Sequence, residues 1–207
     1  MAIRSLAVTR EWTPSRSQSS LELVGFAVGF AAWVGTNVAL DTYHPAAFAI
    51  VSSVVVSYAS MYFVLHPRAG RYWGFRLPDR VEGLSVGAGV AAALFVALLV
   101  GAVPVPGVQG LGLPTLCASP AVYLLWCIIQ DFVFFSVLTG HLRKLGLRPW
   151  TVIGTSAVCF AFSHLPFLGF TSITFFGGLL FAWMYVRGRC IYAVTACHWL
   201  LGVALLG

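Results

Sequence analysis

The chain has 207 residues, 59% of them hydrophobic and only 9% charged, with a mean hydropathy of +0.91. A soluble domain carries about a quarter charged residues, so this composition excludes an ordinary soluble globule and indicates a polytopic membrane protein. The net charge of +6 comes from short basic clusters between apolar stretches. It therefore reflects membrane orientation, and a nucleic-acid partner is not expected.

A membrane-spanning helix needs roughly 20 apolar residues. The expected fold is all-α, a polytopic bundle of about seven transmembrane helices near 21–40, 46–65, 82–103, 118–139, 150–166, 171–186 and 190–206. The basic residues give an independent check. Arg4, Arg10 and Arg16 precede the first span, and Arg68, Arg71, Arg76 and Arg80 separate the second from the third. Arg143, Lys144 and Arg148 follow the fourth span, and Arg187 and Arg189 follow the sixth. All twelve Lys and Arg thus fall on one side, which the positive-inside rule makes cytoplasmic, with the N-terminus in and the C-terminus out. The expected surroundings are the lipid bilayer of a plasma (inner) membrane. The first apolar stretch lacks a small-residue cleavage site and reads as a retained helix.

Three regions follow in chain order. Residues 1–20 form a cytoplasmic N-terminal segment, and residues 21–117 hold the N-terminal spans and an outer loop. Within them Asn37 is the one deep polar group, and Gly25 and Gly29 match the small-xxx-small pattern of close helix packing. The aromatic and basic loop Gly70–Arg80 reads as an interfacial anchor. Val103–Pro114, interrupted by Pro and Gly, reads as the outer loop. Residues 118–207 carry the candidate chemistry. Pro149 can open the fifth helix and Pro166 end it, leaving it too short to cross fully and giving water room to enter. Cys117, Cys127, Cys159, Cys190 and Cys197 form no CxxC pair and read as small apolar packing residues.

Asp131 is the acid that reads as lying deep in an apolar stretch, and His164 and His198 are the deep histidines. A carboxylate in hydrocarbon costs several kcal/mol and marks a functional site by default. No Lys or Arg lies within a span, so its candidate partners are the two imidazoles, the neighbouring Gln130 and scattered hydroxyls. Asp131 and His198 match in depth, about 13 and 12 Å from the cytoplasmic end of their spans, while His164 is displaced outward to about 21 Å. A carboxylate–imidazole site in a low-dielectric medium is suited to taking and returning a proton near neutral pH.

The C-terminal half resembles the CPBP family of CAAX-protease and bacteriocin-processing membrane proteins, whose pattern is EExxxR, then FxxxH, then HxxxN on successive helices. Gln130-Asp131-Phe132-Val133-Phe134-Phe135-Ser136 is similar to the first motif, and Phe160-Ala161-Phe162-Ser163-His164 matches the second. The stretch from Phe176-Gly177-Gly178 to Tyr185 is similar to the family's glycine-rich helix, and His198 stands at the last histidine. The sequence departs from the pattern at Gln130, Asp131, Phe135, Ser136 and Gly202, the last at the asparagine position.

The resemblance implies an intramembrane endopeptidase acting on a peptide or protein at the membrane, with a C-terminal sorting tail as a candidate substrate. By the same resemblance, Asp131 with His164 would activate water and His198 would stabilise the oxyanion. Gln130, an amide, cannot serve as a base. No cofactor is expected. An alternative with zinc would use Asp131, His164 and His198 as ligands. The alternative function is a catalytically inactive relative that binds a membrane peptide or partner. A small transporter or proton relay also fits an intramembrane Asp–His pair, but no broken-helix repeat supports it.

Overall fold

The computed structural model describes residues 13–41, 45–77, 80–101 and 119–206, and its regular structure there is entirely helical. Its elements are α1 (Arg16–Leu40), α2 (Pro45–Leu65), α3 (Ala69–Tyr72), α4 (Arg80–Gly101) and α5 (Pro120–Asp131). A π-helical segment (Phe132–Leu138) joins α5 to α6 (Thr139–Lys144), and α7 (Pro149–Phe162), α8 (Leu168–Gly188) and α9 (Ile191–Leu206) follow. The seven expected spans each have a helical counterpart, the fourth being α5, the π segment and α6 taken as one rod. The outer loop at Val103–Pro114, Cys117 and residues 1–12 lie outside the described residues.

Local chemistry fixes several ends. Ser15 caps α1, its hydroxyl accepting from the Gln18 amide at 3.1 Å. Proline opens α5 at Pro120 and α7 at Pro149, where its missing N–H costs nothing. α7 has 14 residues and ends at Phe162, so His164 stands in the turn beyond it rather than on the helix. At 1.5 Å per residue α7 is about 21 Å long, short of the roughly 30 Å hydrocarbon layer.

The surface is apolar and the interior carries the polar groups, as a lipid solvent requires. On α1, Leu21, Val24 and Val28 are exposed while Ser19, Trp33 and Asn37 are buried. Arg16–Leu40, Pro120–Lys144 and Leu168–Gly188 are each long and apolar enough to cross a bilayer. In lipid the hydrophobic effect does not drive helices together, so close packing and buried hydrogen bonds must. α7 and α8 meet at Gly178, where a Cβ would stand 3.1 Å from the Ala157 Cα and 3.0 Å from the Phe160 ring. Around that contact Phe134, Phe135, Phe160 and Phe181 form a ring cluster with centroids 5.2 to 6.1 Å apart. Such pairs are each worth about 0.5–1.5 kcal/mol beyond their burial.

Part of the loop expected to be an interfacial anchor, residues 72–74, packs into the protein, while Arg71 and Leu77 stay exposed. Trp73 is fully buried and Tyr72 nearly so. The Trp73 carbonyl accepts from the Ser136 hydroxyl at 2.7 Å, and the Tyr72 carbonyl accepts from Arg189 at 2.8 Å. The Tyr72 hydroxyl donates to the Gly140 carbonyl at 3.0 Å. Burial pushes that phenol up to about 12, so it stays protonated as a donor. These bonds satisfy an irregular backbone that hydrocarbon alone would penalise.

Candidate active site

Asp131 closes the last turn of α5 and its side chain is wholly buried. Its Oδ1 accepts a hydrogen bond from Nδ1 of His198 on α9 at 2.9 Å. Its Oδ2 has no hydrogen-bond partner among the described residues. The helix widens into the π segment directly after Asp131. Single π turns inside α-helices recur at functional sites, because the inserted residue re-aims the side chains beside it. Gln130 is buried alongside, about 100° around the helix from Asp131.

His164 is held by the turn that ends α7. Its Nδ1 lies 2.8 Å from the Phe160 carbonyl oxygen, which can only accept, so the ring proton sits on Nδ1 and the lone pair on Nε2. The Ser163 hydroxyl donates to the same carbonyl at 2.7 Å, and the Trp33 indole N–H donates to the Ser163 carbonyl at 3.1 Å. α1 thereby braces the turn that carries the histidine.

The structure joins Asp131 and His198 directly, and brings His164 to them through one aromatic ring. Phe160 meets the His164 ring edge-to-face at 5.0 Å and the His198 ring at 5.2 Å. Phe170 covers the far side of His164 at 5.0 Å, and Phe181 packs on His198 at 5.3 Å. Both imidazoles are therefore oriented by dry aromatic walls, each with one nitrogen committed to a fixed acceptor. No described hydrogen bond joins Asp131 to His164. The expected sharing of water activation by those two thus lacks a direct contact, because the carboxylate is turned toward α9.

Among the described residues no three His, Cys, Asp or Glu side chains converge as metal ligands. His198 Nδ1 is already committed to Asp131.

Phe135, Phe132 and Phe134 are packing residues. Phe135 is fully buried, with its ring 5.2 Å from Phe160 and 5.9 Å from Phe181. Cys127, Cys159, Cys190 and Cys197 carry free thiols.

Sequence reasoning missed a second acid–imidazole pair. Glu22 on α1 stands 2.7 Å from Nε2 of the fully buried His141 on α6. Glu22 also accepts from the Tyr58 hydroxyl at 2.7 Å and from the Gln18 amide at 2.8 Å. The signal was present, since Glu22 interrupts the apolar run Leu21-Glu22-Leu23-Val24. This pair ties α1 and α2 to α6. Glu22→Ala is expected to lower unfolding stability by about 1.5–3 kcal/mol, because it strands His141 and the Tyr58 hydroxyl. Thermal unfolding of the detergent-purified variant measures this, and an unchanged Tm would show that the pair contributes nothing.

Residues 111–204 match the family model described as type II CAAX prenyl endopeptidase Rce1-like. No curated protein and no solved structure is matched. The matched region contains Asp131, the FxxxH turn, the glycine-rich α8 and His198, in that order along the chain. Residues 111–204, the C-terminal part of this membrane protein, belong to the CPBP family of CAAX-protease-like proteins.

Proposed function

We propose that this chain is an intramembrane endopeptidase that hydrolyses a peptide bond in a protein segment held at the membrane, with a C-terminal sorting tail as the substrate class. The observation that carries the reading is the buried Asp131–His198 hydrogen bond beside a His164 whose Nδ1 is locked to a backbone carbonyl.

In this mechanism His164 is the general base, because its Nε2 holds the lone pair. It removes a proton from water as the water oxygen attacks the scissile carbonyl carbon. The carbonyl becomes an oxyanion, toward which His198 presents Nε2–H. Asp131 holds the orientation of His198 and balances the positive charge on its ring. The C–N bond then breaks, and His164 returns its proton to the leaving amine. Gln130 orients water by hydrogen bonding and transfers no proton. Asp131 thus acts through His198, a different share from the one expected by resemblance.

The substitutions are consistent in charge. The family's two glutamates and one arginine sum to a single negative charge, and Gln130, Asp131 and Phe135 do the same. Losing one acid and the base together spares the core an unpaired ion, which in a buried site is costly.

The test uses the full chain in liposomes with two internally quenched peptides. One ends in a farnesylated CAAX sequence and the other in an unprenylated apolar tail. Cleavage of either by the wild type and of neither by His164→Ala is the expected result. Binding of both without cleavage by the wild type would instead establish an inactive, peptide-binding relative. The setting is proposed to be the plasma (inner) membrane, with the basic loops on the cytoplasmic side.

A further inference from the structure

We infer that Trp33 on α1 is a positioning residue for catalysis: its indole N–H fixes the peptide plane that leads into His164 and so keeps the ring proton on Nδ1. This rests on the peptidase reading above and extends its machinery to a helix outside residues 111–204.

The peptide unit between Ser163 and His164 is tied at both edges. Its N–H, that of His164, donates to the Ala161 carbonyl at 2.9 Å. Its carbonyl belongs to Ser163, the C-cap of α7, and is one of the helix-end acceptors that a helix does not satisfy by itself. The Trp33 indole donates to it from another helix at 3.1 Å. A planar unit held at N–H and C=O resists rotation. His164 Nδ1 therefore stays 2.8 Å from the Phe160 carbonyl, and the lone pair stays on Nε2. Rotating the plane would carry Nδ1 away from that acceptor and let either nitrogen hold the proton.

One face of α1 runs along the site. Glu22, Phe26, Phe30 and Trp33 follow at helical spacings of four, four and three. Glu22 meets His141 of α6 at 2.7 Å. Phe26 and Phe30 each stand edge-to-face to Phe134 at 5.9 Å. Phe134 in turn stands 5.8 Å from Phe160, the ring that both imidazoles meet. Trp33 is buried and packs on Trp126 of α5 at 6.2 Å. Roughly 16 Å of helix thus separates the ionic contact from the indole, so the register fixed at Glu22 delivers the N–H to Ser163.

The experiment uses the full chain in liposomes with ¹⁵N-labelled histidine. An imidazole N–H and a bare nitrogen give distinct signals, and His164→Ala identifies those of His164. Trp33 is replaced by its benzothiophene analogue, which keeps the shape of the ring and puts sulfur in place of the N–H. Trp33→Phe is compared beside it. The wild type should show the His164 proton fixed on Nδ1, and both variants should spread it over the two nitrogens. On whichever quenched peptide the wild type cleaves, kcat should fall about 10- to 10²-fold in both, as for a misplacement of about 1 Å. KM should hold, since the bound peptide keeps its contacts.

An unchanged His164 signal in the analogue, or wild-type kcat there, overturns the inference. Loss of kcat in Trp33→Phe alone therefore assigns Trp33 to packing. A change confined to KM or Tm does the same. A wild type that cleaves neither peptide overturns the peptidase reading, while the histidine signals still decide whether Trp33 holds the His164 ring.

Discussion

His164→Ala is expected to lower kcat by about 10²- to 10⁴-fold, the range that one positioned general base supplies. The effect should fall on kcat more than on KM, because in the proposed mechanism the imidazole contacts the attacking water and not the bound peptide. Folding should be affected less than catalysis. His164 lies beyond the end of α7, and the Ser163 hydroxyl still bonds the Phe160 carbonyl. Steady-state cleavage of a quenched peptide by the purified variant, with thermal unfolding as the control, checks the pair of outcomes. A variant retaining wild-type kcat would remove His164 from the mechanism.

Asp131→Asn is expected to have a comparable effect on kcat, about 10²- to 10⁴-fold, by a different route. The amide keeps the shape and a carbonyl acceptor for His198 Nδ1–H. It cannot balance positive charge on the ring, so the oxyanion donor is weakened where it is needed. Asp131→Ala should add a stability loss of about 3–5 kcal/mol, because it leaves the buried His198 without its partner. The contrast is informative. Equal loss of kcat in both, with a large fall in Tm only for alanine, separates the electrostatic role from the structural one. Full activity in Asp131→Asn would mean that its charge is not used.

Much of this architecture was legible in the sequence, for a physical reason. A bilayer sets helix length and rejects charge, so apolar runs and the placement of Lys and Arg located a described helix for each of the seven expected spans. Pro149 and Pro166 marked α7 as short. Equal depth of Asp131 and His198 anticipated the helices that meet there. Other features depend on contacts distant in sequence and leave no local signature. The π segment Phe132–Leu138 arises inside an ordinary apolar run. Burial of Trp73 depends on Ser136, 63 residues away, accepting a place beneath it. The filling of Gly202 by Tyr123 requires knowing that α5 and α9 lie side by side. Glu22 drew no reading of its own, and its partner His141 on α6 shows it to be part of the interior.

In the proposed reaction this chain hydrolyses a peptide bond with a water activated at His164. Digesting the quenched peptide in H₂¹⁸O and weighing the products tests it most directly. A single ¹⁸O is expected in the new carboxyl terminus, none in the released amine fragment, and no product from His164→Ala. Product that forms equally fast with His164→Ala, or wild-type protein that binds the peptide and yields no ¹⁸O-labelled fragment, would contradict it.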